Sequence, residues 1–325
     1  MAELSYLEAG KAALAAEMRR DPAVWALGED LGRGGVFGQY KGLVEEFGPA
    51  RVVDTPISEA TIMGAAVGAA LMGTRPVVEM RFADFALCAV DELVNQAAKA
   101  RYMFGGQGRV PLVVRQPIGM WRSSAAQHSQ SLEGWYAHIP GLVVVCPATP
   151  ADNYGLLASA IRCDDPVVYM EHKDMWAVMG EVDLAAAPTP LGRARIVRPG
   201  RELTLVTWSG MVRVAEAALA LLADGPSVEL IDLRTIYPWD RECVLASVGR
   251  TGRLLVVHEA VETAGFGAEI AASVGEALFG RLKAPVRRLG APRIPIPYSP
   301  ALEASCKIAP ARIAEVVRAL MDWKG

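Results

Sequence analysis

Two ionisable side chains, Glu59 and His128, stand where proton chemistry is feasible. In Asp54-Thr55-Pro56-Ile57-Ser58-Glu59 a strand is expected to end at Asp54, and Pro56 fixes the turn. Ser58 or Thr55 is expected to cap the helix that follows, which sets Glu59 in its first turn. The helix dipole also favours an acid there, so the same spacing suits an ordinary helix start. Chemistry asks in addition that this carboxyl stand beside a base whose protonation matters. His128 lies in Gln127-His128-Ser129-Gln130, after Ser123-Ser124-Ala125-Ala126. A histidine among small and polar residues makes poor core filler, and such loops carry function more often than strand interiors do. In Phe82-Ala83-Asp84-Phe85, after a strand, a loop aromatic can cover a planar ring or fill the core.

Other motifs mark limits. Gly32-Arg33-Gly34-Gly35-Val36-Phe37-Gly38 is one residue off G-x-G-x-x-G, with no strong helical segment behind it, so it makes a poor dinucleotide fingerprint. Gly265-Phe266-Gly267 follows a strand and opens a helix, which suits an anion site or simply a tight turn. There is no P-loop, no G-x-S-x-G and no Gly-Asp-Gly triplet. The four histidines include no H-E-x-x-H, so a zinc site is not expected. Ala60, Gly64 and Gly68 recur at i, i+4, i+8 and leave room for close packing, either inside one domain or across a subunit interface.

The elements that must position these residues are legible as alternation. Apolar, β-branched runs at 24–27, 52–54, 77–80, 112–115, 142–146 and 167–170 read as strands buried on both faces. Helices are expected between them at 6–19, 59–72, 89–104, 131–138 and 151–162, which implies a wound α/β sheet. Residues 182–200, with Ala185-Ala186-Ala187-Pro188-Thr189-Pro190 and Arg198-Pro199-Gly200, read as a linker. A second set follows, with strands at 203–208, 228–231, 254–257 and 286–289 and helices at 212–222, 241–247, 268–279 and 310–321.

Composition agrees. The 325 residues suit two α/β domains, and 52% hydrophobic with 21% charged residues suits a soluble globular chain. A net charge of −3 offers no broad basic surface for nucleic acid. The longest apolar stretch, 62–72, is too short to span a bilayer, and the opening Met1-Ala2-Glu3-Leu4 carries no basic-then-apolar signal. The five cysteines form no C-x-x-C pair and read as free thiols in a reducing cytoplasm.

In order along nearly the whole chain run Gly28-Glu29-Asp30, Gly34-Gly35-Val36-Phe37, Arg51-Val52-Val53-Asp54-Thr55-Pro56-Ile57-Ser58-Glu59 and Arg75-Pro76-Val77-Val78-Glu79. Asn95-Gln96-Ala97-Ala98-Lys99, Gly105-Gly106-Gln107, Gln127-His128-Ser129-Gln130 and Asp232-Leu233-Arg234-Thr235 continue the series. Together they resemble the beta subunit of the 2-oxo acid and acetoin dehydrogenases, which are transketolase-like thiamine enzymes. The resemblance implies an α/β fold of two wound sheets: a transketolase-like pyrimidine-binding domain (1–181), the linker (182–200) and a transketolase C-terminal-like domain (201–325). It implies thiamine diphosphate as cofactor, with magnesium held mainly by an alpha subunit in a heterotetramer, and a lipoyl-bearing acyltransferase core as acyl acceptor.

The resemblance also assigns roles. Glu59 matches the glutamate that hydrogen-bonds the cofactor's aminopyrimidine nitrogen, and Phe85 matches an aromatic that packs on that ring, with Ile57 lining the pocket. His128 matches a histidine that handles charge at the substrate oxygen or during acyl transfer. The family often holds a structural potassium ion on backbone carbonyls. Here these would be those of Leu112, Ala160, Ile161, Cys163 and Asp165, with Cys163 where Asp is usual.

Other departures are Trp121-Arg122, Asn153-Tyr154-Gly155 and Asp91-Glu92. Tyr102-Met103-Phe104-Gly105-Gly106, His138-Ile139-Pro140-Gly141 and Glu171-His172-Lys173 resemble acetoin dehydrogenase, whereas Pro238-Trp239-Asp240 and His258-Glu259-Ala260 resemble the branched-chain enzymes. The substrate therefore stays open among acetoin, pyruvate and branched-chain 2-oxo acids. Two rival classes remain: a non-catalytic assembly subunit of the same fold, and a nucleotide-binding oxidoreductase.

Overall fold

The computed structural model of the chain describes residues 1–223 and 225–324. The chain divides into two units, Met1–Ile118 with Tyr136–Leu191, and Gly119–Trp135 with everything from Gly192 onward. Along the first run β1 (Ala2–Ser5), α1 (Tyr6–Arg20), β2 (Val24–Gly28), α2 (Leu43–Phe47), β3 (Val52–Asp54), α3 (Glu59–Leu71) and β4 (Arg75–Glu79). Then come α4 (Ala98–Met103), β5 (Val113–Ile118), α5 (Glu133–Ala137), which brings the chain back from the second unit's segment, β6 (Val143–Val145), α6 (Pro150–Arg162), β7 (Val167–His172) and β8 (Met179–Val182).

In the first unit β6, β7, β5, β4, β2 and β3 lie side by side in that order, all parallel, and β1 pairs antiparallel with β8. Every residue of β5 and β7 is buried, as the continuous apolar runs anticipate for a sheet covered on both faces. The core on the α1 and α6 side gathers Leu14, Met18, Val24, Val52, Val77, Val113, Leu156 and Tyr169. Each fully buried Leu or Val there contributes about 1.5–3 kcal/mol. A reciprocal cap starts α1: the Ser5 hydroxyl accepts the Glu8 N–H while the Glu8 carboxylate accepts the Ser5 N–H. All these parallel strands point their carboxyl ends the same way, so the turns after Gly28, Asp54, Glu79 and His172 share one edge.

The second unit carries β9 (Arg195–Arg198), β10 (Leu203–Thr207), α7 (Met211–Ala220), β11 (Val228–Asp232), β12 (Thr235–Tyr237), α8 (Arg241–Thr251), β13 (Leu254–Val261), α9 (Gly267–Ala277), β14 (Arg287–Ala291), α10 (Pro300–Cys306) and α11 (Pro310–Met321). Its sheet runs β14-β13-β10-β11-β9, parallel except for the antiparallel edge strand β9. Its core joins Leu203, Leu205, Leu230, Leu255 and Val257 to Ile313 and Val317 of α11.

The short elements β1, α2, β8, β12 and α10 have no counterpart in the sequence pattern, and two stretches differ from what it anticipates. The stretch 182–200, read as a linker, contains β9, because Val197 packs on the second core while Ile196 and Arg198 face outward. Such an edge strand is short and charged, which hides it among loop residues. The single helix expected at 89–104 is divided into a 3-10 turn (Phe85–Ala89), a π-helical turn (Glu92–Ala97) and α4. The wider turn carries one extra residue, and Leu93, Ala97, Ala98 and Ala100 all stay buried.

Candidate functional site

Glu59 is the first residue of α3, at the edge where β3 ends. The expected side-chain cap is absent: Ser58 has φ −173° and gives no cap hydrogen bond, and the buried Thr55 hydroxyl has no partner among the described residues. The Thr55 N–H instead donates to Gly28 O at 3.0 Å, tying the turn to β2. The Glu59 carboxylate is half-buried and makes no hydrogen bond or ion pair among the described residues. A carboxylate at a positive helix end, left without a partner among the described residues, is placed to accept one from a ligand. Ile57 beside it is 75% exposed.

Phe85 starts the 3-10 turn that packs against α3, so the fold brings the elements of Glu59 and Phe85 together. Its half-buried ring meets Phe82 edge-on at 5.3 Å and 84°. Phe82 in turn packs against Phe37 at 6.1 Å, and Phe37 lies 4.1 Å from Trp176. The buried Lys173 ammonium sits over the Phe82 ring at 4.7 Å. At the same edge Arg81 Nη1 reaches Glu29 at 3.3 Å and Asp30 at 3.2 Å, with Arg81 and Asp30 both in the left-handed region. Sequence reading noted Lys173 only within Glu171-His172-Lys173 and passed over Arg81, because neither a cation–π contact nor a positive φ on a non-glycine residue has a local signal. Deeper in this unit Arg115 pairs with Glu171 at 2.7 Å, and the Tyr40 hydroxyl donates to Glu79 at 3.0 Å. Burial pushes the Glu79 carboxyl up to about 7, against the pull of Arg115.

His128 belongs to the second unit, on the Gly119–Trp135 segment. It is half-buried, in a loop where Arg122, Ser123 and Ala125 all have positive φ. Non-glycine residues held there cost about 1–2 kcal/mol each. The loop is fastened within its own unit: Met120 N–H donates to Glu259 at 2.7 Å, Ser123 N–H to Glu303, and Trp208 Nε1–H to the buried Glu133 at 3.1 Å. Ser129, Gln130 and Ser131 line a cavity of about 630 Å³ that Glu259, Thr263 and Arg293 also border.

The carbonyls expected to hold potassium are partly engaged. Leu112 O accepts Val167 N–H at 2.8 Å, Ala160 O accepts Cys163 N–H at 3.2 Å, and Ile161 O and Cys163 O each accept from Arg75 Nη1 at 3.0 Å. Arg75 also pairs with Asp164 at 2.6 Å, and Arg101 pairs with Asp165. Each carbonyl oxygen keeps a second lone pair, so the oxygens suit a monovalent cation, although Arg75 already brings one positive charge to them.

The glycine clusters resolve as turns. Gly32 through Gly38 form a 3-10 turn and bends, with Leu31 N–H held by Asp54, and no helix opens behind them until α2. At Gly265 a Cβ would come within 2.5 Å of the His258 ring, and at Gly267 within 2.9 Å, so these glycines make room for a buried imidazole. His258 Nδ1–H donates to Ala260 O at 3.0 Å, and the ring stacks on Trp208 at 5.4 Å.

Comparison with known proteins agrees with this arrangement. Residues 2–177 match the transketolase pyrimidine binding domain and 192–313 the transketolase C-terminal domain. The chain is 45% identical to the acetoin:2,6-dichlorophenolindophenol oxidoreductase subunit beta of Cupriavidus necator, covering 98% of each chain. It is 41% identical to the 2-oxoisovalerate dehydrogenase subunit beta of Bacillus subtilis, over 99% of this chain and 100% of that one. It is 44% identical to the pyruvate dehydrogenase E1 component subunit beta of Rhizobium meliloti, over 98% and 70%. A split-gene transketolase solved as an inactive beta4 tetramer shares the fold, with a TM-score of 0.77 at 20% identity and 98% of each chain covered. The chain therefore belongs to the family of beta subunits of thiamine-diphosphate-dependent 2-oxo acid and acetoin dehydrogenases, built from a transketolase pyrimidine-binding and a transketolase C-terminal domain.

Proposed function

We propose that this chain is the catalytic beta subunit of a dehydrogenase that acts on acetoin, pyruvate or a branched-chain 2-oxo acid and passes the acyl group to the lipoamide of an acyltransferase core. Residues 1–181 serve as its pyrimidine-binding domain, 182–200 as connector and 201–325 as C-terminal domain. It works in the cytoplasm, in keeping with its five free cysteines, and only with an alpha subunit in a heterotetramer. The observation that carries the reading is the Glu59 carboxylate, unpartnered at the head of α3 beside the Phe85 turn.

Thiamine diphosphate, when bound, supplies an acidic thiazolium carbon and an electron sink. Glu59 would share a proton with the far pyrimidine nitrogen, Phe85 would pack on that ring, and Ile57 would line its pocket. His128 would give or take a proton at the substrate oxygen or the lipoyl sulfur, a role that suits an imidazole at working pH. Magnesium would be held mainly by the alpha subunit, since the diphosphate needs a counter-ion and this chain has no Gly-Asp-Gly triplet. A potassium ion would use the second lone pairs of the Leu112, Ala160, Ile161, Cys163 and Asp165 carbonyls. It should raise the melting midpoint of the assembled enzyme over that in choline chloride; equal midpoints would leave the turn to its arginines, Arg75, Arg101 and Arg109.

Glu59→Gln tests the central role. An amide cannot share a proton as an acid does, so turnover of the assembled enzyme should fall by about 100-fold or more, with the melting midpoint unchanged. Turnover near that of the unaltered enzyme would reduce Glu59 to a helix-start residue and favour a non-catalytic assembly subunit.

A further inference from the structure

The loop that carries His128 adopts a backbone conformation that its own residues resist. Arg122, Ser123 and Ala125 have φ of 48°, 56° and 63°, and none is glycine. Left to itself such a stretch would leave the left-handed region, so something in the surrounding unit must hold it. The holding contact at the strained stretch is specific. The Ser123 N–H is shared between both oxygens of Glu303, at 3.3 and 3.2 Å. Glu303 stands on α10 and is only 5% exposed, with the Lys307 ammonium 3.7 Å away as its other polar neighbour among the described residues. A buried carboxylate that faces one backbone N–H is an expensive way to fill space, and hydrogen bonds to a charged acceptor are the strong ones. Inside the loop the Ser124 N–H and hydroxyl donate to Trp121 O and the His128 N–H to Ala125 O, all local turns, while toward its ends Met120 N–H donates to Glu259, Gly119 N–H to Gln130 O, and Trp208 to Glu133.

We propose that Glu303 is a positioning residue for His128: by accepting the Ser123 N–H it keeps Arg122, Ser123 and Ala125 left-handed and the histidine in its working place. The proposal rests on the lipoyl-sulfur role given to His128 above. Glutamine keeps one acceptor oxygen for Ser123, aspartate withdraws it by one methylene, and alanine removes it. Glycine at 123 adopts the left-handed region freely and lessens the need for any holding group.

The test uses the enzyme assembled with its alpha subunit. It compares thiamine diphosphate affinity, reduction of 2,6-dichlorophenolindophenol (which needs no lipoyl acceptor), reduction of lipoamide, and the melting midpoint. Glu303→Ala should slow lipoamide reduction about tenfold or more while cofactor affinity and dye reduction stay within about threefold, since a small misplacement of one group harms its own step most. Glu303→Gln should stay within about threefold throughout, and adding Ser123→Gly to Glu303→Ala should recover much of the lost lipoamide rate. If Glu303→Ala does not fold, Glu303→Asp carries the test, with an intermediate loss expected in the same step. Lipoamide reduction at the unaltered rate in Glu303→Ala (or in Glu303→Asp where that carries the test), or an equal loss of cofactor affinity, dye reduction and lipoamide reduction with a lower melting midpoint, would overturn the proposal. His128→Ala separates the two claims. If it leaves lipoamide reduction intact, the role of His128 is wrong; if it slows that step and Glu303→Ala does not, the positioning role is wrong.

Discussion

At the scale of the residue, burial is the first cause of the shifts at His258 and Glu79. His258 is the clearest case, because burial pushes its pKa from 6.5 down to about 4. The unfolded chain takes up this proton below pH 6.5 and the folded chain only near pH 4, so the stability this group contributes is present above 6.5 and is lost as pH falls through about 4. The loss is on the order of 3 kcal/mol. Glu79 has the opposite sign: with its carboxyl raised to about 7, stability is present below the usual carboxylate range and is lost as pH rises through 7. Denaturant midpoints of His258→Gln should therefore change less between pH 7.5 and 5 than those of the unaltered chain, and those of Glu79→Gln less between pH 6 and 8. Unchanged slopes would show that other groups control these limbs. Types and spacing singled out Glu59, Phe85 and His128 as candidates, and the family resemblance supplied the roles proposed for them. They did not show that Thr55 and Ser58 leave the helix uncapped, nor that Glu303 and Glu259 grip the His128 loop, because those partners lie far away in sequence.

At the scale of the element, α3 carries two features with different legibility. Its small-residue stripe was visible in the sequence, but whether it packs inside the domain was not. Ala60 and Gly68 are exposed, and a Cβ on Gly68 would meet no atom within 4 Å. At the end of the helix Leu71 and Met72 are 42% and 85% exposed. The first unit's own packing thus gives no reason for glycine at 68, and the stripe is expected to seat a helix of another subunit. Gly68→Leu should leave the melting midpoint of the isolated chain unchanged or higher, since leucine favours helix. It should weaken assembly with the alpha subunit by about 1–3 kcal/mol through overpacking. Light scattering after chromatography would read this; full assembly at low concentration would return the stripe to its own domain. The π-helical turn and β9 were not legible, since a one-residue widening and a four-residue edge strand leave no periodicity to detect.

At the scale of the whole molecule, both wound sheets followed from alternating apolar and helical runs, as did their order. The crossing of Gly119–Trp135 into the second unit did not, because a polar loop between two strands of one sheet looks local in sequence. On the function proposed above, Glu59, Phe85 and Ile57 of the first unit would serve the pyrimidine and His128 of the second unit the later chemistry, while the sequence holds no Gly-Asp-Gly for the diphosphate. The most direct measurement is a titration of thiamine diphosphate with magnesium into the purified chain, alone and after mixing with its alpha subunit, with turnover of acetoin, pyruvate and branched-chain 2-oxo acids followed in parallel. The expected result is no saturable binding below about 1 mM for the chain alone, and both tight binding and turnover once the alpha subunit is added. Robust turnover by the isolated chain would contradict the account.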